Sequence, residues 1–119
     1  MDRLRIGIVG AGRIAGAFAQ GVKHSKRAEV VAVGSRSLEK AQAFASEHGI
    51  ELAFGSYERL CAEELVDAVY VATPNGTHVE DTLQALRASK HVLVEKPMAT
   101  SGSDAREMFA EAARQNRVL

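Results

Sequence analysis

Cysteine, proline and tryptophan are nearly missing from this chain: one, two and none in 119 residues. A lone Cys61 can close no internal disulfide and build no thiolate metal cluster, so its expected place is as a buried thiol packing in a helix. Aromatic residues are 5% of the total, and 15 basic residues balance 15 acidic ones without clustering. A nucleic-acid surface needs concentrated positive charge, so no nucleic-acid partner is expected. His24, His48 and His91 show no metal-ligating spacing. No apolar run approaches the roughly twenty residues of a membrane span, and no apolar segment with a cleavage site follows Met1. A soluble cytoplasmic protein without a membrane partner is the expectation. Repeats, low-complexity tracts and internal linkers are also absent. A chain of this length reads as one domain over residues 1–119, able to bury roughly 60 to 70 per cent of its unfolded surface.

What is present is alternation. Leu4 to Val9 is a short apolar run with β-branched residues, as expected of a strand buried on both faces. Ile14, Ala17, Phe18, Gly21 and Val22 follow at helical spacing. Glu29 to Val33 reads as a second strand. Ser37 can cap a helix whose apolar face is Ala41, Phe44 and Ala45, with Gly49 at its C-terminal turn. Ile50 to Phe54 is a weaker third strand, Tyr57 to Ala62 a short helix, and Asp67 to Ala72 a strong fourth strand. Val79, Thr82, Leu83 and Leu86 mark the next helix, and His91 to Val94 the fifth strand. Ala105, Met108, Phe109 and Ala112 stripe a last helix, opened by the capping-box pattern of Ser101 and Asp104. Strands and helices in alternation across short loops imply right-handed crossovers and a parallel sheet covered on both faces, a three-layer α/β/α arrangement.

In such a sheet the loops after the strands line one crevice. The first is Gly10-Ala11-Gly12-Arg13-Ile14-Ala15. Gly10 would make the tight turn, Gly12 would let a pyrophosphate approach the backbone, and Ala15 is small enough for close helix packing. The helix N-terminus behind them would stabilise the anion. This is the fingerprint of a Rossmann-type, doubly wound sheet that binds a dinucleotide. After the second strand, Gly34-Ser35-Arg36-Ser37 lacks the acid that an NAD-preferring fold places about twenty residues beyond the glycines. Ser35 and Arg36 can donate to a 2′-phosphate instead, which favours NADP over NAD; an arginine that is solvated or stacks on adenine is the alternative. Lys40 reads as a solvated helix residue. After the fourth strand stands Thr73-Pro74-Asn75-Gly76-Thr77-His78. Pro74 ends the ladder, Asn75 can bend the chain or bond through its side chain, and His78 would face the crevice from a first helical turn or make a structural hydrogen bond. After the fifth strand comes Glu95-Lys96-Pro97, where Lys96 either meets a substrate or pairs with Glu95.

Taken together, GIVGAGRIA, GSRS, VATPNGTH and HVLVEKPMA, in this order, resemble the N-terminal half of the glucose-fructose oxidoreductase, inositol dehydrogenase and rhizopine-catabolism oxidoreductase family. The resemblance covers essentially the whole chain. It implies that Gly10 to Ala15 form the dinucleotide loop, that Ser35 and Arg36 flank the adenosine ribose, and that Thr73, Pro74, Asn75 and His78 line the cofactor. It further implies that Lys96 is catalytic, touching the nicotinamide ribose and the reacting oxygen, with Glu95 beside the cofactor and Pro97 after a cis bond. The implied activity is hydride transfer between NADP or NAD and a CH–OH group of a carbohydrate-like small molecule. An ammonium beside the oxygen would polarise a carbonyl for reduction. A nucleotide-sugar or S-adenosylmethionine enzyme with a similar glycine loop fits the Glu95-Lys96-Pro97 segment less well. Family members continue into a second, substrate-binding domain, whereas Arg117-Val118-Leu119 reads as only the start of a sixth strand. The expectation is therefore a dinucleotide-binding domain inactive without its second domain, or a non-catalytic dinucleotide module or redox sensor. Apolar surface near the fifth strand and last helix would permit a homo-oligomer.

Overall fold

Each strand is separated from the next by a helix that must carry the chain back across the sheet, and this forces the strands to run parallel. The computed structural model describes residues 3–99 and 101–119. In chain order the elements are β1 (Leu4–Val9), α1 (Arg13–Val22), β2 (Ala28–Gly34), α2 (Leu38–His48), β3 (Leu52–Phe54), α3 (Tyr57–Cys61), β4 (Ala68–Val71), a 3-10 turn (Asn75–Thr77), α4 (His78–Arg87), β5 (His91–Val94) and α5 (Gly102–Gln115). The five strands form one sheet in the order β3-β2-β1-β4-β5, with every pairing parallel. The order reverses beside β1, and the carboxyl ends of the strands open there into a crevice.

Two cores lie on the two faces of this sheet. One packs α1 and α2 on it through Ile6, Ile8, Ala15, Ala19, Ala41, Phe44 and Tyr70. The other packs α3, α4 and α5 through Leu60, Val66, Val69, Ala85, Leu86 and Ala112. Leu60 is fully buried, and a Cβ on Gly7 or Gly34 would come within 3.0 or 3.2 Å of its side chain. Those glycines in adjacent strands leave the room that Leu60 fills. Cys61 is a free, buried thiol as expected, and burial pushes its pKa up to about 11.

Three expectations need correction. The buried line of α1 runs through Ala15 and Ala19, while Ile14 is 54% exposed. A helix lying this close to a sheet selects small side chains, which moves the buried stripe one position from the one that hydrophobicity suggests. In α5, Phe109 faces outward at 52% exposure and Glu111 turns in. Its carboxylate can do so because Arg114, at 2.7 Å, and Gln115, at 3.0 Å, satisfy it from the same helix. The third strand begins at Leu52 because Ile50 belongs to the end of α2. Gly49 adopts φ of 68°, and the Ile50 amide donates back to the Ala45 carbonyl at 2.8 Å. Beyond α5, residues 117–119 run beside β5, where the Val92 amide donates to the Val118 carbonyl at 2.9 Å.

At the amino ends of the strands, Arg5 on β1 grips Asp67 ahead of β4. The guanidinium donates to both carboxylate oxygens at 3.1 and 3.0 Å, and the Arg5 backbone amide adds a third bond at 2.9 Å. These bonds hold the Asp67 carboxyl below the usual carboxylate range. A depressed folded-state pKa contributes stability above the unfolded pKa of about 3.9, and that contribution fades as pH falls through the folded value. Asp67→Asn should therefore unfold at lower urea than wild type at pH 7. The gap should narrow as the pH is lowered below about 3.9; a gap independent of pH would show that the carboxylate charge contributes nothing.

Candidate functional site

The two glycines of the first loop are small for different reasons. Gly10 sits at φ +106°, and a Cβ there would stand 2.7 Å from the Ala72 carbonyl oxygen, so the end of β1 could not lie against the end of β4 with any side chain present. Gly12 has an ordinary φ of −93°, and a Cβ built on it meets nothing within 4 Å. Its missing side chain leaves space on the solvent side. That space is a cleft of about 480 Å³ bounded by the backbone from Gly10 to Ile14, with Tyr57, Ala72, Thr73 and Pro74 opposite. Arg13 and Ile14 are exposed at its mouth, and Ala11 is half-buried.

Helix α1 begins at this cleft with its amides uncapped. Gly12 is its N-cap and offers no side-chain acceptor, and no acid stands in the first turn. The hydroxyls of Ser37, Ser56 and Ser101 cap α2, α3 and α5, and α4 carries Glu80 and Asp81 in its first turn. Among the described helices, α1 alone has neither device. Its first-turn N–H groups and its positive dipole end remain available to an anion. The donor set fits the pyrophosphate of a dinucleotide.

Beyond β2, Ser35 is buried and its hydroxyl accepts from the Ser37 amide at 3.2 Å. Arg36 is exposed, with its guanidinium beside the Tyr57 hydroxyl. Lys40 is exposed on α2. The loops after β4 and β5 are joined from beneath by His78. This residue, for which the sequence left open a place facing the crevice or a structural hydrogen bond, is 1% exposed. Its Nε2 lies 2.7 Å from the Thr73 carbonyl and its Nδ1 2.8 Å from the Pro97 carbonyl. A ring spanning two backbone carbonyls ties two loops together, which is the structural hydrogen bonding that the sequence allowed. The Thr73 hydroxyl donates to the buried Asp81 carboxylate at 2.6 Å, and Pro74 is exposed. The side chain of Asn75 lies outside the described residues.

Glu95 is not paired with Lys96. The Tyr70 hydroxyl donates to Glu95 Oε2 at 2.5 Å, and the Tyr70 ring stacks on Phe18 of α1 with centroids 3.9 Å apart. Burial first, and then the Glu95 carboxylate, raise the Tyr70 pKa, so this hydroxyl stays a donor. Lys96 is exposed and makes no ion pair among the described residues; its bond to Pro97 is cis. Lys96 thus follows β5 at the carboxyl end of the sheet, exposed and without an ion pair among the described residues.

Tyr57 is a site residue that the sequence reading missed, having placed it only at the start of a short helix. The signal was available, since the loop after the third strand lies at the same sheet edge as the others. A second cleft, of about 240 Å³, lies at the opposite edge beside Val22, His48 and Ile50. It shares no residue with the glycine loop. Among the described residues no cluster could hold a metal, and no helix is long and apolar enough to cross a membrane.

Comparisons with known proteins agree with this geometry. Residues 4–119 match the family model described as "Oxidoreductase family, NAD-binding Rossmann fold", the Gfo/Idh/MocA type. A 1,5-anhydro-D-fructose reductase from Ensifer adhaerens is 45% identical over 115 residues, 97% of this chain and 34% of its own length. A trans-1,2-dihydrobenzene-1,2-diol dehydrogenase from Bos taurus is 43% identical over 92% of this chain and 33% of its own length. Among solved structures, a 3-ketoreductase from Actinomadura kijaniata, in complex with NADP and TDP-benzene, superposes with a TM-score of 0.94 at 36% identity, covering 99% of this chain and 36% of that one. The chain thus spans about a third of the length of the curated relatives it matches. With its parallel sheet, its open glycine loop and this match across nearly its whole length, the chain belongs to the Gfo/Idh/MocA oxidoreductase family and forms its NAD(P)-binding Rossmann domain.

Proposed function

We propose that this chain is the cofactor-binding part of an NADP-using oxidoreductase that acts on a CH–OH or carbonyl group of a sugar, polyol or related diol. The observation that carries the reading is the uncapped, acid-free start of α1 behind the open face of Gly12, at the same sheet edge as Lys96, which has no ion pair among the described residues. When bound, a nicotinamide dinucleotide supplies or accepts the hydride. The chain's own residues do the rest. The amides from Gly12 to Ala15 hold the pyrophosphate, and Ser35 and Arg36 meet the adenosine ribose, where a guanidinium suits a 2′-phosphate better than a bare hydroxyl. The Lys96 ammonium donates to the reacting oxygen, polarising a carbonyl and stabilising the alkoxide that the reverse reaction must form. Glu95, fixed by Tyr70, holds the lysine segment in place. The substrate class rests on the relatives, a sugar reductase, a diol dehydrogenase and a ketoreductase.

Each relative is about three times as long as this chain, so the remaining substrate contacts are assigned to a second domain. Leu93, Phe109 and Val118, between 52% and 69% exposed around β5 and α5, offer it an apolar face. On this reading residues 117–119 enter a sixth strand, and the isolated chain binds dinucleotide without turnover.

Gly12→Val should abolish NADPH binding in calorimetric titration while leaving the thermal midpoint within a few degrees of wild type, because the added side chain fills only the cleft. Unchanged affinity would remove the cradle. Arg36→Ala should weaken NADPH by about tenfold or more, as expected for loss of a charged hydrogen bond, and NADH far less. An equal loss for both would mean that the arginine does not read the phosphate. In a full-length protein containing this domain, Lys96→Ala should lower kcat by about a hundredfold or more with little change in cofactor affinity. Near-normal turnover would reduce Lys96 to a positioning role.

A further inference from the structure

We propose that Tyr57 is a specificity-determining residue of the cofactor site: its ring walls the adenosine end of the cleft, and its hydroxyl holds Arg36 in place for the 2′-phosphate. This rests on the dinucleotide reading above and assigns a residue to it that the glycine, serine-arginine and lysine motifs do not include. Three observations converge on Tyr57. First, it lines the same cleft as the glycine loop and Thr73. Second, its hydroxyl lies beside the guanidinium of Arg36, an exposed residue of the turn between β2 and α2. Third, its backbone is anchored: it opens α3 directly after Ser56, whose hydroxyl caps the helix by accepting from the Arg59 amide at 3.1 Å.

The electrostatics suit the role. Burial and the Asp81 carboxylate raise the Tyr57 pKa against the opposing pull of Arg36, so the phenol keeps its proton. A neutral phenol can accept from the guanidinium without cancelling its charge, which stays available to a dianion. An exposed arginine on its own samples many rotamers, and binding must then order it. A hydroxyl that fixes one of them lowers that cost only for a ligand that uses the arginine. The ring contributes equally to a ligand with or without the phosphate, since either presents the same adenosine to it.

The two parts of the side chain are separable by titration of NADPH and NADH into wild type, Tyr57→Phe, Tyr57→Ala, Arg36→Ala and the Arg36→Ala/Tyr57→Phe double variant. Tyr57→Phe should weaken NADPH by about tenfold and NADH by less than about twofold. In the Arg36→Ala background the same change should have no further effect on NADPH, the coupling that a double-mutant cycle isolates. Tyr57→Ala should weaken both dinucleotides by a further similar factor through loss of the wall. A Phe variant with an unchanged NADPH-to-NADH ratio, or an equal loss with and without Arg36, would overturn the proposal even if wild type binds tightly. A wild-type protein that binds neither dinucleotide would overturn the dinucleotide reading itself.

Discussion

The close approach of β1 to β4 at their carboxyl ends is the constraint on which the rest of this site depends. Gly10 at φ +106° lies so near the Ala72 carbonyl that no other residue fits, and the backbone around it is stitched on both sides. The Gly10 amide donates to Gly34 at the end of β2, the Ala72 amide to Val9 at the end of β1, and the Glu95 amide to Val71 at the end of β4. Each functional loop therefore leaves the sheet from a residue whose first backbone bond is to the neighbouring strand. The crevice has its shape before any ligand arrives, so little ordering is left for binding to supply.

On this frame a few polar side chains set the positions of the loops. His78 spans the Thr73 and Pro97 carbonyls, Asp81 receives the Thr73 hydroxyl, and Tyr70 receives the ring of Phe18 on one side and holds Glu95 on the other. These groups are mostly buried and already bonded. Gly12, Arg13, Arg36 and Lys96 are exposed. The buried, bonded groups thus build the crevice, and the exposed ones stand at its surface. Buried polar groups this near a site are stable only because each has found its acceptor or donor.

The strands, the helix order and the glycine loop were legible in the sequence because each follows from local chemistry: apolar runs, serine caps and glycines at fixed spacing. The same logic failed where packing between elements decides. Ile14 and Phe109 are the more hydrophobic choices for their helix faces, yet Ala15 and Glu111 are buried, one because the sheet is too close for a larger residue and the other because Arg114 and Gln115 satisfy it. For His78 the sequence left a crevice position and a structural hydrogen bond both open, since its place at the start of α4 does not reveal that Pro97, nineteen residues on, brings a carbonyl to its ring. Tyr57 was within reach of the same rule, since the loop after the weak third strand had to open at the edge where β1 and β4 end. The Glu95-Lys96 dipeptide invites an ion pair between neighbours, and it took the position of Tyr70 on the adjacent strand to show where the carboxylate goes.

The central claim is that the backbone at the start of α1 grips the diphosphate of a nicotinamide dinucleotide, and amide NMR of the ¹⁵N-labelled chain during NADPH addition tests it most directly. The account predicts that the Gly12, Arg13 and Ile14 amides move first and furthest, saturating together with those of Ser35 and Thr73. Amides at the glycine loop that stay fixed, while shifts gather around His48 and Ile50 at the opposite sheet edge or appear nowhere, would contradict it.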